Sequence, residues 1–336
     1  MPPLASIVVL SWNGLQHLDT CLGSLCRQTL SDVELILVDN GSTDGTAEYV
    51  REHFPNVRIE RVENNLGVPG GMNHGIRAAR GTFIGILNND TEIDPGWAEA
   101  CVSALRNHPE AGAIASRVRL FWRRTHLDTA GDVFFSAGMV GKRGWLEADG
   151  PPFDHPAWVF SACAGAAFYR RQALDAAGLF DEDFEACIED VDLSFRIQLA
   201  GWRCLYVPEA IVYHKLGATV GQGLARPEHQ LRMHRNLWYM RIKDLPGSLW
   251  LRHLPEMLLA EALVLAASLR SGRIGVALRA RGQVLRALPA LLRKRRMIQR
   301  RRRAAPADID AQIERGWIAH RRAEKRREAT VSPTGP

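Results

Sequence analysis

Two hydrophobic periods alternate over residues 7–90, and this alternation restricts the fold more than any other feature of the sequence. The continuous run Ile7-Val8-Val9-Leu10 predicts a buried strand, and residues 33–38, 57–62 and 82–87 predict three more. Between them, Leu15, Leu18, Leu22 and Leu25 recur at helical spacing over residues 15–27. The turn at residues 40–44 can cap a helix over residues 46–53, and Pro69-Gly70-Gly71 opens a helix that stops near Gly81. Strand alternating with helix at this rhythm predicts an α/β fold, Rossmann-like, with a mostly parallel central sheet flanked by helices. Ligands of such sheets sit beyond the carboxyl ends of the strands. Asp39 and Asp90 both fall there.

The pattern is less regular further on. Residues 113–160 contain short apolar runs, many glycines and Pro151-Pro152, and predict irregular strands and loops. A small-residue strand follows at residues 163–169, then a short helix at 171–177 closed by Gly178. A helix over residues 189–200 puts Val191, Phe195, Leu199 and Trp202 on one face, and Gly201 stops it. Strand-like segments at 204–207 and 210–213 end at His214. Beyond about residue 230 only helical patterns remain: residues 254–269, apolar apart from Glu256 and Glu261, and residues 279–292, amphipathic and basic. Arginine-rich runs occupy 293–296 and 300–303. Residues 304–336 are charged and Ala/Pro-rich and predict a frayed or flexible tail. The chain thus divides into residues 1–225, with halves 1–110 and 111–225, a helical basic extension at 226–303, and the tail.

Composition narrows the function. With 336 residues, 46% hydrophobic and 24% charged, wholesale disorder is excluded. Six cysteines are scattered without CxxC or zinc spacing, which argues against a disulfide scaffold and suits a reducing, cytoplasmic setting. The N-terminus lacks a charged region and a long apolar run, so no signal peptide is expected, and no stretch of about 18 residues is free of charge, so no spanning helix is expected either. The net charge of +6 hides an asymmetry: residues 270–336 hold 19 Lys/Arg against 5 Asp/Glu, leaving an acidic body ahead of a basic end.

Four polar clusters stand where chemistry could occur. Asp39-Asn40-Gly41-Ser42-Thr43-Asp44 offers a carboxylate to a base or ribose and backbone N–H groups to a phosphate. Asn64-Asn65-Leu66-Gly67…Gly70-Gly71-Met72-Asn73 lets a ligand approach the backbone at a helix start, although it is not a GxGxxG fingerprint. Asn88-Asn89-Asp90 ends a strand with one carboxylate able to ligate Mg²⁺ or Mn²⁺ beside a diphosphate. Glu189-Asp190-Val191-Asp192 puts three carboxylates at a helix start, where the dipole favours the ionised form that a general base needs. His214 could add a neutral imidazole ligand. Taken singly, the Asp39 cluster is equally well explained as a capped turn, Asn88-Asn89-Asp90 is better explained as a turn, the other two clusters fit a loop or a helix cap, and a histidine placed like His214 is more often simply hydrogen-bonded.

Taken in order, they resemble the family 2 glycosyltransferases of the GT-A fold. Val8-Val9-Leu10-Ser11-Trp12-Asn13, the Asp39–Thr46 run, Asn65-Leu66-Gly67…Asn73-His74-Gly75, Leu87-Asn88-Asn89-Asp90 and Phe180-Asp181-Glu182-Asp183-Phe184…Glu189-Asp190-Val191-Asp192 carry the likeness, which covers roughly residues 4–220. The subgroup resembled is that of rhamnosyltransferase-like enzymes of cell-surface polysaccharide assembly. One departure is Asn88 in the first position of the family's Asp-x-Asp motif. The resemblance implies inverting transfer of a sugar from a nucleoside-diphosphate donor to a glycan or polyprenyl-linked acceptor. It also implies a site for each residue: Ser11, Trp12, Asn13, Asp39, Asn65, Gly67, Asn73, Asn88, Asn89 and Asp90 around the nucleotide sugar, Asp90 and His214 on a divalent cation (Mg²⁺ or Mn²⁺), and Asp190 as general base with Glu189 in reserve.

Two other readings compete. The basic end could lie on an anionic membrane surface on the cytoplasmic side, or be a packed appendage with a solvated tail. A catalytically silent, nucleotide-binding scaffold would keep the fold without turnover. Nucleic acid is not an expected partner, because residues 293–303 contain no aromatic for base stacking.

Overall fold

The computed structural model describes residues 2–215 and 226–331. The N-terminal alternation is realised in full: β1 (Ala5–Ser11), α1 (Leu15–Leu25), β2 (Val33–Asn40), α2 (Thr46–His53), β3 (Val57–Val62), α3 (Gly67–Ala78) and β4 (Phe83–Asn88) follow one another. Then come β5 (Thr91–Ile93), α4 (Trp97–Asn107), β6 (Ala111–Leu120), β7 (Leu127–Thr129), β8 (Asp132–Phe134), β9 (Val140–Lys142), β10 (Ala157–Val159), β11 (Ala166–Arg170), α5 (Arg171–Ala177), a 3-10 turn at Glu182–Phe184, α6 (Glu189–Leu199) and β12 (Arg203–His214). The remainder is helical: α7 (Pro227–Asp244), α8 (Gly247–Arg270), α9 (Ile274–Arg301), α10 (Pro306–Asp310) and α11 (Trp317–Glu328).

The main sheet runs β10-β12-β6-β11-β4-β1-β2-β3, with β5 on β12 and β7 on β6. β4, β1, β2 and β3 are parallel neighbours, β6 and β12 are parallel, and β11 lies antiparallel between β4 and β6. Alternate residues of the apolar strands feed opposite faces, which is why both faces carry a core. Ile7, Val9, Leu22 and Trp97 fill one side and Val8, Met72, Ile76 and Ile197 the other. Register then fixes the site. Ser11 pairs with Asp39 and Leu10 with Asn88, so the polar ends of β1, β2 and β4 share one edge.

Two expectations need correction and a third needs an addition. Residues 113–160 do hold short strands and loops, but they begin with most of β6, a ten-residue strand whose partners β11 and β12 lie far along the chain. The two segments before His214 are one strand, interrupted by a register shift between Val207 and Ile211. Residues 304–331 are not a frayed tail. Ile309 and Ile313 pack with Phe134, Trp317 packs near Phe135, and the Glu314 N–H donates to the Phe134 carbonyl at 2.9 Å. The expected boundary at 225/226 falls beside residues 216–225, outside the described residues, as do 332–336.

The C-terminal helices join the body through buried charge. Lys243 of α7 is wholly buried and pairs with Asp181 and, at 2.7 Å, with Asp192 of α6. Lys294 of α9 reaches Asp181 at 2.5 Å and Asp183 at 2.7 Å.

Candidate active site

The first turns after β1 and β2 lock onto each other. The Asn13 N–H donates to Ser42 Oγ (3.0 Å), Asn13 Oδ1 accepts from the Thr43 N–H (2.8 Å), and the Leu15 N–H donates to Asp44 Oδ2 (3.0 Å). Asn13 adopts φ 47°, a left-handed conformation that asparagine tolerates better than most residues. Asp39 is fully buried at the end of β2; its Oδ1 accepts the Ser42 N–H (2.9 Å), and Arg61 Nε lies 3.5 Å from Oδ2. Asn89 donates to Ser11 Oγ at 2.9 Å. Trp12 is half exposed above this edge.

Two of the predicted residues have committed side chains. Asn65 Oδ1 accepts from Asn40 Nδ2 (3.1 Å) and the Gly67 N–H (2.8 Å), closing the loop before α3. Asn73 is buried, with its amide paired to both backbone groups of Phe180 (2.9 Å each) and to Glu182. Asn73 therefore braces the loops, whereas Asn65 is exposed and engages them through its Oδ1 alone. Gly67 holds φ 72°, and a Cβ there would stand 2.8 Å from the Glu185 carbonyl, so only glycine fits.

Asp90 and His214 meet, as expected. β12 pairs antiparallel with β5, aligning His214 with Thr91 directly after Asp90. His214 Nε2 lies 3.3 Å from Asp90 Oδ1, and Nδ1 bonds Asp128 Oδ2 at 2.8 Å. Burial alone would lower the imidazole pKa, but Asp90 and then Asp128 outweigh it and hold it at about 10. Lys142 bonds the other oxygen of Asp128 at 2.5 Å; against the upward push of burial, Lys142 and His214 keep that carboxyl far below the usual range.

Asp190 is linked to this centre through the charge of Lys142 and through the turn that precedes β11. Its Oδ2 accepts the Ala164 N–H (3.2 Å) and its Oδ1 the Val191 N–H (2.8 Å). The next residue, Gly165, accepts the Asn88 N–H through its carbonyl (3.1 Å), so the 163–165 turn joins Asp190 to the strand end that carries Asn88. Burial raises the Asp190 carboxyl, opposed by those two N–H groups and by Lys142. Burial, then the Asp190 charge, push Asp132 to about 8 and Glu189 to about 8. Asp128, Asp132 and Lys142 are site residues that the sequence reading missed. All three lie on β7–β9, strands of three residues each, too short to show a period.

The backbone leading to Asp190 is strained. Glu185, Cys187 and Ile188 all adopt positive φ (60°, 72° and 69°), which costs about 1–3 kcal/mol for each side-chain-bearing residue. Two residues of α7 hold this turn. Fully buried Asn236 donates to the carbonyls of Phe184 (2.9 Å), Ala186 (2.8 Å) and Cys187 (2.8 Å), while Arg235 bonds the carbonyls of Asp183 and Phe184 and the Glu185 carboxylate.

Among the described residues, no group of three or more His, Cys, Asp and Glu side chains is placed to hold an ion. The Asp90–His214 pair would nevertheless suit a divalent cation that displaces the ring proton facing Asp90, since only the neutral imidazole can ligate. An oxygen and an imidazole nitrogen lie side by side, and the second ring nitrogen is fixed by a carboxylate, the usual outer-shell support of a ligating histidine. A cavity of about 500 Å³ lies elsewhere, between α3, α5 and α9, lined by Arg77, Asp181, Lys243, Lys294 and Arg301.

Comparison with known proteins agrees with this geometry. The chain is 29% identical over 283 residues to the N-acetylglucosaminyl-diphospho-decaprenol L-rhamnosyltransferase of Mycobacterium tuberculosis, covering 74% of this chain and 87% of that one. Its fold is similar to the crystal structure of GalNAc-T7 with UDP, GalNAc and Mn²⁺ (TM-score 0.59, 16% identity, 73% of this chain and 49% of that one). It is also similar to the mannosyltransferase PcManGT from Pyrobaculum calidifontis in complex with GDP-Man and Mn²⁺ (TM-score 0.52, 18% identity, 89% and 87%). These likenesses identify the sheet as a GT-A fold. The family pattern described as glycosyl transferase family 2 matches residues 6–177, from the first strand to the end of α5, and with the polar ends of β1, β2 and β4 gathered on one edge this chain belongs to that family.

Proposed function

We propose that the protein is an inverting glycosyltransferase that moves a sugar, best read as rhamnose, from a nucleoside-diphosphate donor to a hydroxyl of a lipid-linked or cell-surface glycan. The observation that supports this reading is the Asp90–His214 pair at the end of β12, with Asp190 tied to the 163–165 turn that also bonds the strand end carrying Asn88. The sugar and the acceptor rest on the mycobacterial relative, whose name specifies an L-rhamnosyl transfer onto a decaprenol-linked N-acetylglucosamine. A polyprenyl-linked acceptor would place the protein at a membrane surface, on the side where six unpaired thiols remain reduced.

In this reading Asp39 and the Ser11–Asn13 turn receive the nucleoside, and the edge at Asn88–Asp90 receives the diphosphate. Asp90 and His214 would hold Mg²⁺ or Mn²⁺, which when bound neutralises charge on the departing diphosphate. Asp190 takes the proton of the acceptor hydroxyl. The acceptor oxygen forms the new bond to the anomeric carbon from the face opposite the leaving group, so configuration inverts. The bond to the diphosphate breaks, and the nucleoside diphosphate leaves with its electron pair.

Geometry favours Asp190 over Glu189 as base. Two backbone N–H groups stabilise ionised Asp190, whereas Glu189 Oε2 is buried without a hydrogen-bond partner and the group is raised to about 8, so it is protonated at neutral pH. The test is nucleoside-diphosphate release from a panel of nucleotide sugars with Mn²⁺ or Mg²⁺. Release from a deoxysugar donor such as a rhamnosyl nucleotide, accelerated by a polyprenyl-linked glycan, is expected. No release from any donor would overturn the reading and leave a silent scaffold.

A further inference from the structure

α8 is apolar on two opposite sides. Leu249, Met257 and Ala260 face the body and are buried, whereas Leu251 (77% exposed), Leu258 (60%) and Leu269 (66%) stand in solvent. At 100° per residue, Leu251, Pro255, Leu258, Ala262 and Leu269 fall in one stripe that contains no charge. α9 returns beside α8 after a turn at residues 271–273, tied to it by an ion pair from Arg281 to Glu261.

Along α9 the dipeptide Leu-Arg recurs every seven residues, at 278–279, 285–286 and 292–293, and all six residues are exposed. Seven residues are close to two helical turns, so the repeat lays a row of leucines beside a row of arginines, which Arg300, seven residues beyond Arg293, extends. Neither row serves the fold. Val276, Ala277, Ala280, Val284 and Leu291 make the inward packing of α9. Contiguous exposed apolar surface with a charged border marks an interaction surface.

We propose that the α8–α9 hairpin is a docking face for an anionic lipid bilayer, with the leucines in the interface and Arg279, Arg286 and Arg293 on the headgroup phosphates. Charge selects this occupant. A second copy packed face to face would bring arginine row onto arginine row, whereas a phosphate surface complements it. No helix among the described residues is long and apolar enough to cross a membrane, so the hairpin lies on the bilayer. This deepens the proposed function by naming the surface on which a lipid-linked acceptor is met, but its test is independent of sugar transfer.

The experiment is co-flotation of the full chain with vesicles of phosphatidylglycerol and phosphatidylcholine, and with vesicles of phosphatidylcholine alone, each at low and high salt. Salt-sensitive flotation with the anionic vesicles only is expected. The triple variant R279Q/R286Q/R293Q should bind about a hundredfold more weakly, the loss expected for three surface arginines. The triple variant L251S/L258S/L285S should lose flotation. Both should keep the parent's melting temperature and its donor hydrolysis in solution, because all six positions are exposed and distant in sequence from Asp90, Asp190 and His214. Absence of flotation by the intact chain, or flotation that the arginine variant retains in full, overturns the proposal. A dimer that the leucine variant dissociates, without vesicle binding, overturns it in favour of a second copy. Flotation without donor hydrolysis supports docking while removing the transfer reaction.

Discussion

Asn236→Ala tests whether α7 belongs to the catalytic machinery. The wild-type amide has two N–H groups shared among three buried carbonyls of the 184–187 turn. Alanine removes both donors, and leaving a buried carbonyl unsatisfied costs ~1–3 kcal/mol, so two losses amount to about 2–6 kcal/mol. The turn stores a similar amount, at ~1–3 kcal/mol for each of its three left-handed residues. With the clamp gone, relaxing the strain offsets much of the loss, so the turn should shift rather than stay in place. Asp190 begins only two residues beyond Ile188, and a displacement of about 1 Å at a reacting group costs ~10²-fold. The expected result is a fall in kcat of about a hundredfold, measured as nucleoside-diphosphate release at saturating donor and acceptor, with the protein still folded at the assay temperature. A variant with a lowered melting temperature but unchanged kcat would refute this reasoning and reduce Asn236 to a structural strut.

Asp190→Asn should lower kcat by about 10²–10⁴-fold with donor affinity retained, while Glu189→Gln, which mimics the neutral acid, should stay close to the parent; the reverse pattern would exchange the two roles. Because burial raises Asp190, kcat should fall on acidification at a pH above the ordinary aspartate value of about 3.9, which a pH–rate profile reads directly. Asp128→Asn should weaken Mn²⁺ activation by about 10–100-fold in a metal titration, since it removes the support of His214 without touching the donor. Lys243→Met takes one buried cation from Asp181, which keeps Lys294, and from Asp192, which keeps Arg196, so the loss in denaturant unfolding at neutral pH should fall short of the about 3–5 kcal/mol of a fully stranded buried charge. Both carboxyls lie below their ordinary values, so their contribution is complete above about pH 4 and disappears as the pH falls through the lowered folded values. The stability gap between parent and variant should therefore close in acid.

The edge built on β1, β2 and β4 was legible because each of these strands is largely apolar and ends in polar residues. Asp39, Asn88 and Asp90 announce themselves as the points where burial stops. Asp190 was legible because it opens a helix, and His214 because it ends a strand. Asp128, Asp132 and Lys142 carry no such signal. Their strands are three residues long and are specified by distant partners such as Phe134 against Phe160 and Phe195, not by a local period. The same holds for Ile309, Ile313 and Trp317. They are isolated apolar residues in a charged stretch, where composition suggests a solvated tail and only the folded body supplies something to pack against. Asn73 shows the converse. Its residue type suits a ligand, yet its amide is bonded to both backbone groups of Phe180 and to Glu182, which no spacing rule reveals.

The strand that carries Asp132 is braced by residues made long after it. The Glu314 N–H and carbonyl bond the Phe134 carbonyl and the Ser136 N–H, His320 packs on Phe135, and Arg327 reaches Glu147 at 2.7 Å. During translation the nucleotide-binding edge emerges early, while the Asp132 strand waits for a segment synthesised some two hundred residues later. A nascent chain that has not passed residue 327 lacks that brace. Turnover should therefore switch on only after these last helices have left the ribosome, which keeps half-made chains from consuming activated sugar.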